Sequence, residues 1–232
     1  IGEQNKFLQL LGTAYNGIGI TYYLMNNYDQ SEYYVRKAMD IKLLQKDYAY
    51  YAIIASNLAA LMLHQQKNLE ALSLLKSAEH VALKENLPQY LPNIYNSIGA
   101  IFYQMKNAQD SALHYYEKSI QFAEKFDVQQ NIITGYHNLG HLLLEKKQFE
   151  SALYYLKIAE KLSDEMNSPA IILKIVQTLA ETYEAAGKID LALTYRKREQ
   201  ELSKEIFDSE RQKSIEELQI QYETAEKDRI NQ

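Results

Sequence analysis

The chain has 232 residues, 47% hydrophobic and 24% charged, with net charge −5, no Cys, no Trp and three Pro. That is apolar material for one or two folded domains, and zero Cys removes disulfides, thiol catalysis and zinc sites built on thiolates. A pI of ≈ 5.6 with no basic block argues against a nucleic-acid partner.

From its first residue the chain reads as helix. Leu, Ala, Glu, Lys and Tyr crowd out Val and Thr, and only eight Gly occur. Five segments align along it: Tyr15-Asn16-Gly17-Ile18-Gly19, Ala55-Ser56-Asn57-Leu58-Ala59, Tyr95-Asn96-Ser97-Ile98-Gly99, Tyr136-His137-Asn138-Leu139-Gly140 and Val176-Gln177-Thr178-Leu179-Ala180. Their closing small residues, Gly19, Ala59, Gly99, Gly140 and Ala180, recur at separations of 40, 40, 41 and 40. A large residue follows three positions later at Tyr22, Met62, Phe102, Leu143 and Tyr183. A second small residue lies beyond a polar turn, at Ser31, Ala71, Ala112, Ala152 and Ala192, and a third at Ala38, Ala78, Ser119 and Ala159. Small residues at helical spacing let two backbones approach, and large neighbours fill the gap. Pro88 and Pro169 stand where a following helix starts, with Pro92 in the first turn or so after Pro88. Each unit is therefore expected to be helix, tight turn, helix.

The fifth copy departs from the pattern. Arg196 replaces an apolar residue and Glu199 a small one, as expected of a polar outer face on a terminal repeat. A charged stretch without Gly or Pro follows from Phe207 to Gln232. Within it Ile215, Leu218, Tyr222 and Ala225 step by 3, 4 and 3, the spacing of a coiled-coil seam, and two such seams would form a weak homodimer. Two heptads also fit a solvated helix that pairs with nothing.

No catalytic constellation is present: there is no Gly-rich phosphate loop, no nucleophile elbow and no Cys nucleophile, so no enzyme activity and no cofactor are expected. His137 and His141 lie four apart on one helical face, with Glu145 extending the row. Position 138 is Asn, which breaks the metalloprotease pattern, and the pair reads as two polar groove residues with no metal. Of 20 Tyr, those at Tyr15, Tyr22, Tyr95, Tyr136 and Tyr183 fall on core positions. In the pairs Tyr33-Tyr34, Tyr50-Tyr51, Tyr115-Tyr116 and Tyr154-Tyr155 neighbours point about 100° apart, so one of each is expected to stay partly exposed.

The Leu, Gly/Ala and Tyr steps of each first helix, and the small and apolar steps of each second, resemble a tetratricopeptide repeat over residues 7 to 208. Gly140, Leu143, Ala152, Leu156 and Ala159 stand at matching steps, as do Ala59, Met62, Ala71, Leu75 and Ala78; the period near 40 exceeds the usual 34. The resemblance implies an all-α solenoid of about five helix pairs in a right-handed superhelix, with a C-terminal helical extension. It implies a repeat domain over residues 1–208 and a helical linker over 209–232. First helices of this fold line a concave groove, which places Asn16, Ser56, Asn96, His137 and Gln177 there, together with Tyr23, Tyr103 and His141. Asn93, Thr134 and Lys174 lie one turn earlier. Chaperone-binding members clamp a carboxylate with Lys, Arg and Asn; here the rows nearest the anchor hold no Lys or Arg, so that clamp is not expected.

The run Glu217-Leu218-Gln219-Ile220-Gln221-Tyr222-Glu223-Thr224 is similar to the junction after the repeats in membrane-anchored sensor histidine kinases and related regulators of Bacteroidetes-type bacteria. The chain starts at Ile1 rather than Met and holds no apolar run of roughly 18 residues, so a fragment is expected, any membrane contact being through a missing transmembrane segment. The implied function is a non-catalytic sensor domain on the periplasmic side, binding a protein or peptide and signalling through its C-terminal helix. A cytoplasmic peptide-pheromone receptor and a plain assembly scaffold are the other readings.

Overall fold

A computed structural model describes residues 2–105 and 107–230, with side chains described for 6–105 and 107–224. Among the described residues there are ten α-helices and no strand. They are α1 (Gly2–Leu24), α2 (Tyr28–Leu44), α3 (Tyr48–His64), α4 (Asn68–Lys84), α5 (Leu91–Gln104), α6 (Gln109–Lys125), α7 (Gln129–Glu145), α8 (Phe149–Met166), α9 (Pro169–Ala185) and α10 (Ile189–Ile230). A single 3-10 turn, Pro88–Tyr90, leads into α5. This is the all-α repeat architecture that the tetratricopeptide-repeat resemblance implies.

The chain divides into two compact units, Ile1–Leu142 and Leu143–Gln232, the division falling inside α7. In the first unit α1 packs on α2, α2 on α3, α3 on α4, α4 on α5 and α5 on α6, while α3 also touches α5. In the second, α9 packs on both α8 and α10.

Why the helices stop is written in their last turns. Asn26, Lys46, Gln66, Asn86, Asp127, Lys147 and Asn167 take φ of 49–60°, and Gly187 takes 72°. At Gln66 the amide donates to Leu63 O (3.1 Å) and the next amide, Lys67, to Met62 O (2.9 Å). That pair of bonds is the Schellman motif, which satisfies carbonyls left open by the ending helix. Lys46 with Asp47, Lys147 with Gln148 and Gly187 with Lys188 repeat it. After the turn, Asn27 and Asp47 cap α2 and α3 by accepting from the amides of Gln30 and Tyr50. Pro169 sits at the first position of α9, where its missing N–H costs nothing.

The small anchors lie at helix contacts. A Cβ on Gly99 would sit 2.6 Å from two ring carbons of Tyr116, so α6 approaches α5 through the space that glycine leaves. A Cβ on Gly19 would run into Val35 in the same way. Ala71, Ala112, Ala152 and Ala159 are fully buried, and Leu75 and Leu156 fill the adjoining positions with no exposed surface. Ser31 and Ser119 keep two small positions polar by donating to Gly19 O (2.8 Å) and Pro92 O (2.7 Å), bonds that satisfy buried hydroxyls. The tyrosine pairs divide as expected. Tyr51 and Tyr116 are buried beside half-buried Tyr50 and Tyr115, while Tyr33 and Tyr154 are exposed beside Tyr34 and Tyr155.

Second helices carry an ionic ladder that appears once in each unit. Glu79 of α4 accepts from Lys76 (2.8 Å) and lies 3.5 Å from Lys118 of α6. Lys76 also donates to Tyr115 (2.7 Å). In the second unit Glu160 of α8 accepts from Lys157 (2.9 Å), Arg198 and the Tyr195 hydroxyl (3.0 Å), and Lys157 donates to Tyr195. Burial opposes ionisation of Glu79, yet the Lys76 hydrogen bond and charge, with Tyr95 and Lys118, hold its carboxyl below the ordinary value. Burial and the Glu79 charge in turn push the Tyr95 phenol up.

α10 runs unbroken through residues 208 and 209, and its described side chains from Phe207 to Thr224 are all exposed. Among the described residues no helix is long and apolar enough to cross a membrane.

Candidate functional site

Within the first unit, the exposed faces of α3, α5 and α7 and the 3-10 turn border a cleft of ≈ 490 Å³. Its polar groups are the carboxamides of Gln89, Asn93, Asn96, Gln130 and Asn131 and the hydroxyls of Tyr90 and Thr134; no charged side chain lines it. The 3-10 turn carries Gln89 and Tyr90 at the rim: Pro92 has no N–H to give the carbonyl of Pro88 four residues back, so α5 starts only after a 3-10 turn. Ala52, Ile53 and Val128 supply apolar wall. Thr134 donates back to Gln130 O (2.8 Å), which leaves the carboxamides and the Tyr90 hydroxyl as the polar groups that can face a ligand. Asn96 Oδ1 accepts from Asn138 Nδ2 (2.8 Å), and that bond tethers α5 to α7.

Carboxamides each offer two donors and one acceptor, the complement of a peptide backbone, without imposing a charge. A face of this kind holds an extended chain by its main chain while apolar wall contributes contact area.

The expected groove residues are distributed over this surface unevenly. Asn93, Asn96 and Thr134 are in the cleft. Tyr103 pairs its hydroxyl with His141 Nδ1 (3.1 Å), and Tyr23 does the same with His64 Nε2 (2.7 Å). His137 is half-buried on α7. Asn16 and Ser56 are 6% and 4% exposed, so they sit inside helix contacts and not on a ligand face. The reason is geometric: residues three apart are neighbours on a helix, so this row follows the small anchors into the interface. Ser56 donates to Ala52 O (3.2 Å), whereas Asn16 Oδ1 is buried with no hydrogen-bond partner. In the second unit Lys174 is exposed and Gln177 donates to Glu199 (3.1 Å). Of the expected seam, Ile215, Leu218 and Tyr222 are exposed on α10, while the Ala225 side chain lies outside the described residues. Among the described residues no group of three or more His, Asp or Glu is placed to hold a metal ion.

Sequence reasoning passed over Ile53, Asn57, Gln89, Tyr90, Gln130 and Asn131. Ile53 and Asn57 share a row with Ala60, a stripe at i, i+4 and i+7 that the spacing contained. Gln89 and Tyr90 come from the 3-10 turn before α5, for which helix periodicity has no signal, and Gln130 and Asn131 from the first turn of α7.

Solved structures of the same fold include BtubC from P. vanneervenii, 19% identical with a TM-score of 0.71, where the match covers 86% of this chain and 82% of that one. A Rap protein complexed with competence and sporulation factor is 18% identical, TM-score 0.74, with 84% and 54% covered. The Rap conjugation gene regulator of plasmid pLS20, in complex with the Phr* peptide, is 18% identical, TM-score 0.73, with 90% and 57% covered. This chain thus spans a little over half the length of either Rap protein. No curated protein matches. Residues 13–230 match the family model of the MalT-like TPR region, and the chain belongs to that tetratricopeptide-repeat family.

Proposed function

We propose that this chain is a non-catalytic recognition domain that binds an extended, uncharged stretch of peptide on the exposed face of α3, α5 and α7. The observation that carries this reading is the cleft in which five carboxamides converge and no charged side chain takes part. Rap proteins of the same fold are described with a peptide or a sporulation factor bound, which supports the class of ligand through likeness of fold. The test is a double change, Asn93→Ala with Asn131→Ala, assayed against a library of uncharged octapeptides. Binding should weaken about tenfold or more with the melting temperature unchanged. Peptide binding that survives the change, or photo-crosslinks to α4 and α6 instead, overturns the assignment.

The finer reading places the domain on the periplasmic side of a membrane-anchored signalling protein, with α10 as the transmitter. Its support is the junction-like run Glu217–Thr224 and a helix of 42 residues whose Ile215, Leu218 and Tyr222 face solvent. Paired seams would join two copies, and a ligand that favours one arrangement of the pair would shift the output. Sedimentation at rising concentration tests this: the parent should self-associate weakly and Leu218→Glu with Tyr222→Glu should not. Equal association by both rules the seam out.

A further inference from the structure

A second hollow of ≈ 280 Å³ opens on the first unit between α1, α2 and α3. Ile20, Tyr23, Val35, Ala60 and Leu61 make it apolar, and no charged side chain lines it. It exists because position 60 is Ala, a residue too small to fill the space beside Ile20. Ile20 is 43% exposed, so apolar surface at its mouth meets water. The Ser31 hydroxyl is already spent on Gly19 O (2.8 Å) and the Tyr23 hydroxyl on His64 (2.7 Å), which leaves the Asn57 carboxamide as the polar group at the rim.

The hollow and the amide cleft are two ends of one stripe. Ile53 lines the cleft, Ala60 lines the hollow, and Asn57 lies between them on the same exposed face of α3. Seven residues of helix span about 10 Å, the length of about three residues of extended chain.

We infer that the hollow is a side-chain subsite, taking one bulky apolar residue, Leu- or Phe-sized, of the same uncharged peptide that the amide cleft holds by its backbone. The inference rests on the peptide-binding reading above and adds its specificity: an apolar anchor about three residues from the backbone-held stretch, with Asn57 bonding the main chain between. The exposed part of α10 is a poor alternative occupant, because Glu216, Glu217 and Glu223 would bring charge to a face that offers no counter-ion.

The test uses the full chain and uncharged octapeptides in which one position is scanned through Ala, Leu, Phe, Asp and Lys. Leu or Phe at one register should bind about tenfold tighter than Ala, and Asp or Lys there weaker than Ala. Ala60→Phe fills the hollow and should cut the preference to below about threefold while the Ala peptide binds as before. Ile20→Ser should act in the same direction, with unchanged circular dichroism in both variants. A preference that survives both changes overturns the subsite, and so does peptide binding with no apolar preference, although the amide cleft then stands. If no peptide binds, the recognition reading falls and the subsite with it. Self-association that Ala60→Phe abolishes would identify a second copy as the occupant and overturn the peptide.

Discussion

The α3–α4 pair of the first unit and the α9–α10 pair of the second occupy the same place in the repeat, yet they are held differently. α4 presents Ala71, Leu75 and Ala78, all with 0–1% exposure. α10 presents Ala192 and then Arg196 and Glu199. Arg196 forks onto both oxygens of Glu184 (2.9 and 3.0 Å) and reaches Glu199 (2.9 Å), which also accepts from Gln177 (3.1 Å). The Arg196 hydrogen bonds are the main reason the Glu184 carboxyl stays below its ordinary value, but both partners are well exposed to water. Close apolar packing stores kilocalories per side chain, whereas exposed ion pairs are screened and add little. The α3–α4 pair thus continues its apolar packing where the α9–α10 pair, packed through Ala180, Tyr183, Ala192 and Tyr195, turns to ion pairs at Arg196 and Glu199, although both follow the same spacing.

The largest effect that separates the two pairs should come from Leu75→Ala. It removes a fully buried side chain and should lower stability by about 2–5 kcal/mol, read from the urea midpoint of the first unit. Next is the buried carboxylate of the second unit. Glu160→Ala removes the acceptor of the Tyr195 hydroxyl and a partner of both Lys157 and Arg198, and should cost about 1–3 kcal/mol; Glu79→Ala, which takes the acceptor from the buried Tyr95 phenol and a partner from Lys76, should cost about as much. A loss below about 0.5 kcal/mol for either change would show that its tyrosine bond carries no weight.

Acid sharpens the contrast in another way. Glu79 and Glu32 both bind a proton more weakly folded than unfolded: burial works against them, but Lys76 at Glu79, and Lys67 with Arg36 at Glu32, outweigh it. Their contribution is present above the unfolded value of 4.5 and is lost as pH falls through the lower folded values. Thermal melts of the first unit should drop steeply below about pH 4.5, and Glu79→Gln should flatten that limb. Two smaller effects remain. Gln66→Gly relieves a non-glycine residue at φ of 60° and should raise stability by about 0.5–1 kcal/mol, while Asn26→Gly should change less because Asn tolerates that region. Arg196→Met should shift the melting point of the second unit least of all, since an exposed pair is worth about 0–1 kcal/mol.

Much of the fold was legible because a repeat writes each structural constraint five times. Gly99 could be read as a close contact from its period alone, and the Tyr116 ring 2.6 Å from its missing Cβ is that contact. Pro169 marked the start of α9 for a local reason, its fixed φ, whereas Pro88 opens the 3-10 turn and α5 begins three residues later at Leu91. The turns themselves were less visible. Gly at the left-handed position is the usual sign, but here Lys46, Gln66 and Lys147 take it, held there by the two Schellman hydrogen bonds. On the candidate face the row three before each anchor was a reasonable choice, and it placed Asn96 in the cleft but put Asn16 and Ser56 in the core. Helical period fixes which residues share a face, not how far the neighbouring helix rotates that face toward water.

The helix-favouring composition and the 40-residue spacing together determined that this protein repeats a helical unit and which residues are small where backbones meet. Each of those follows from local steric demands that reappear in every copy. Only the tertiary structure decided that Gln89, from the 3-10 turn, and Asn131, from the start of α7, meet Asn93 and Asn96 around one cleft. It also decided that Ala60 leaves a hollow beside Ile20. A cavity is the space several elements fail to fill, so no single stretch of sequence contains it.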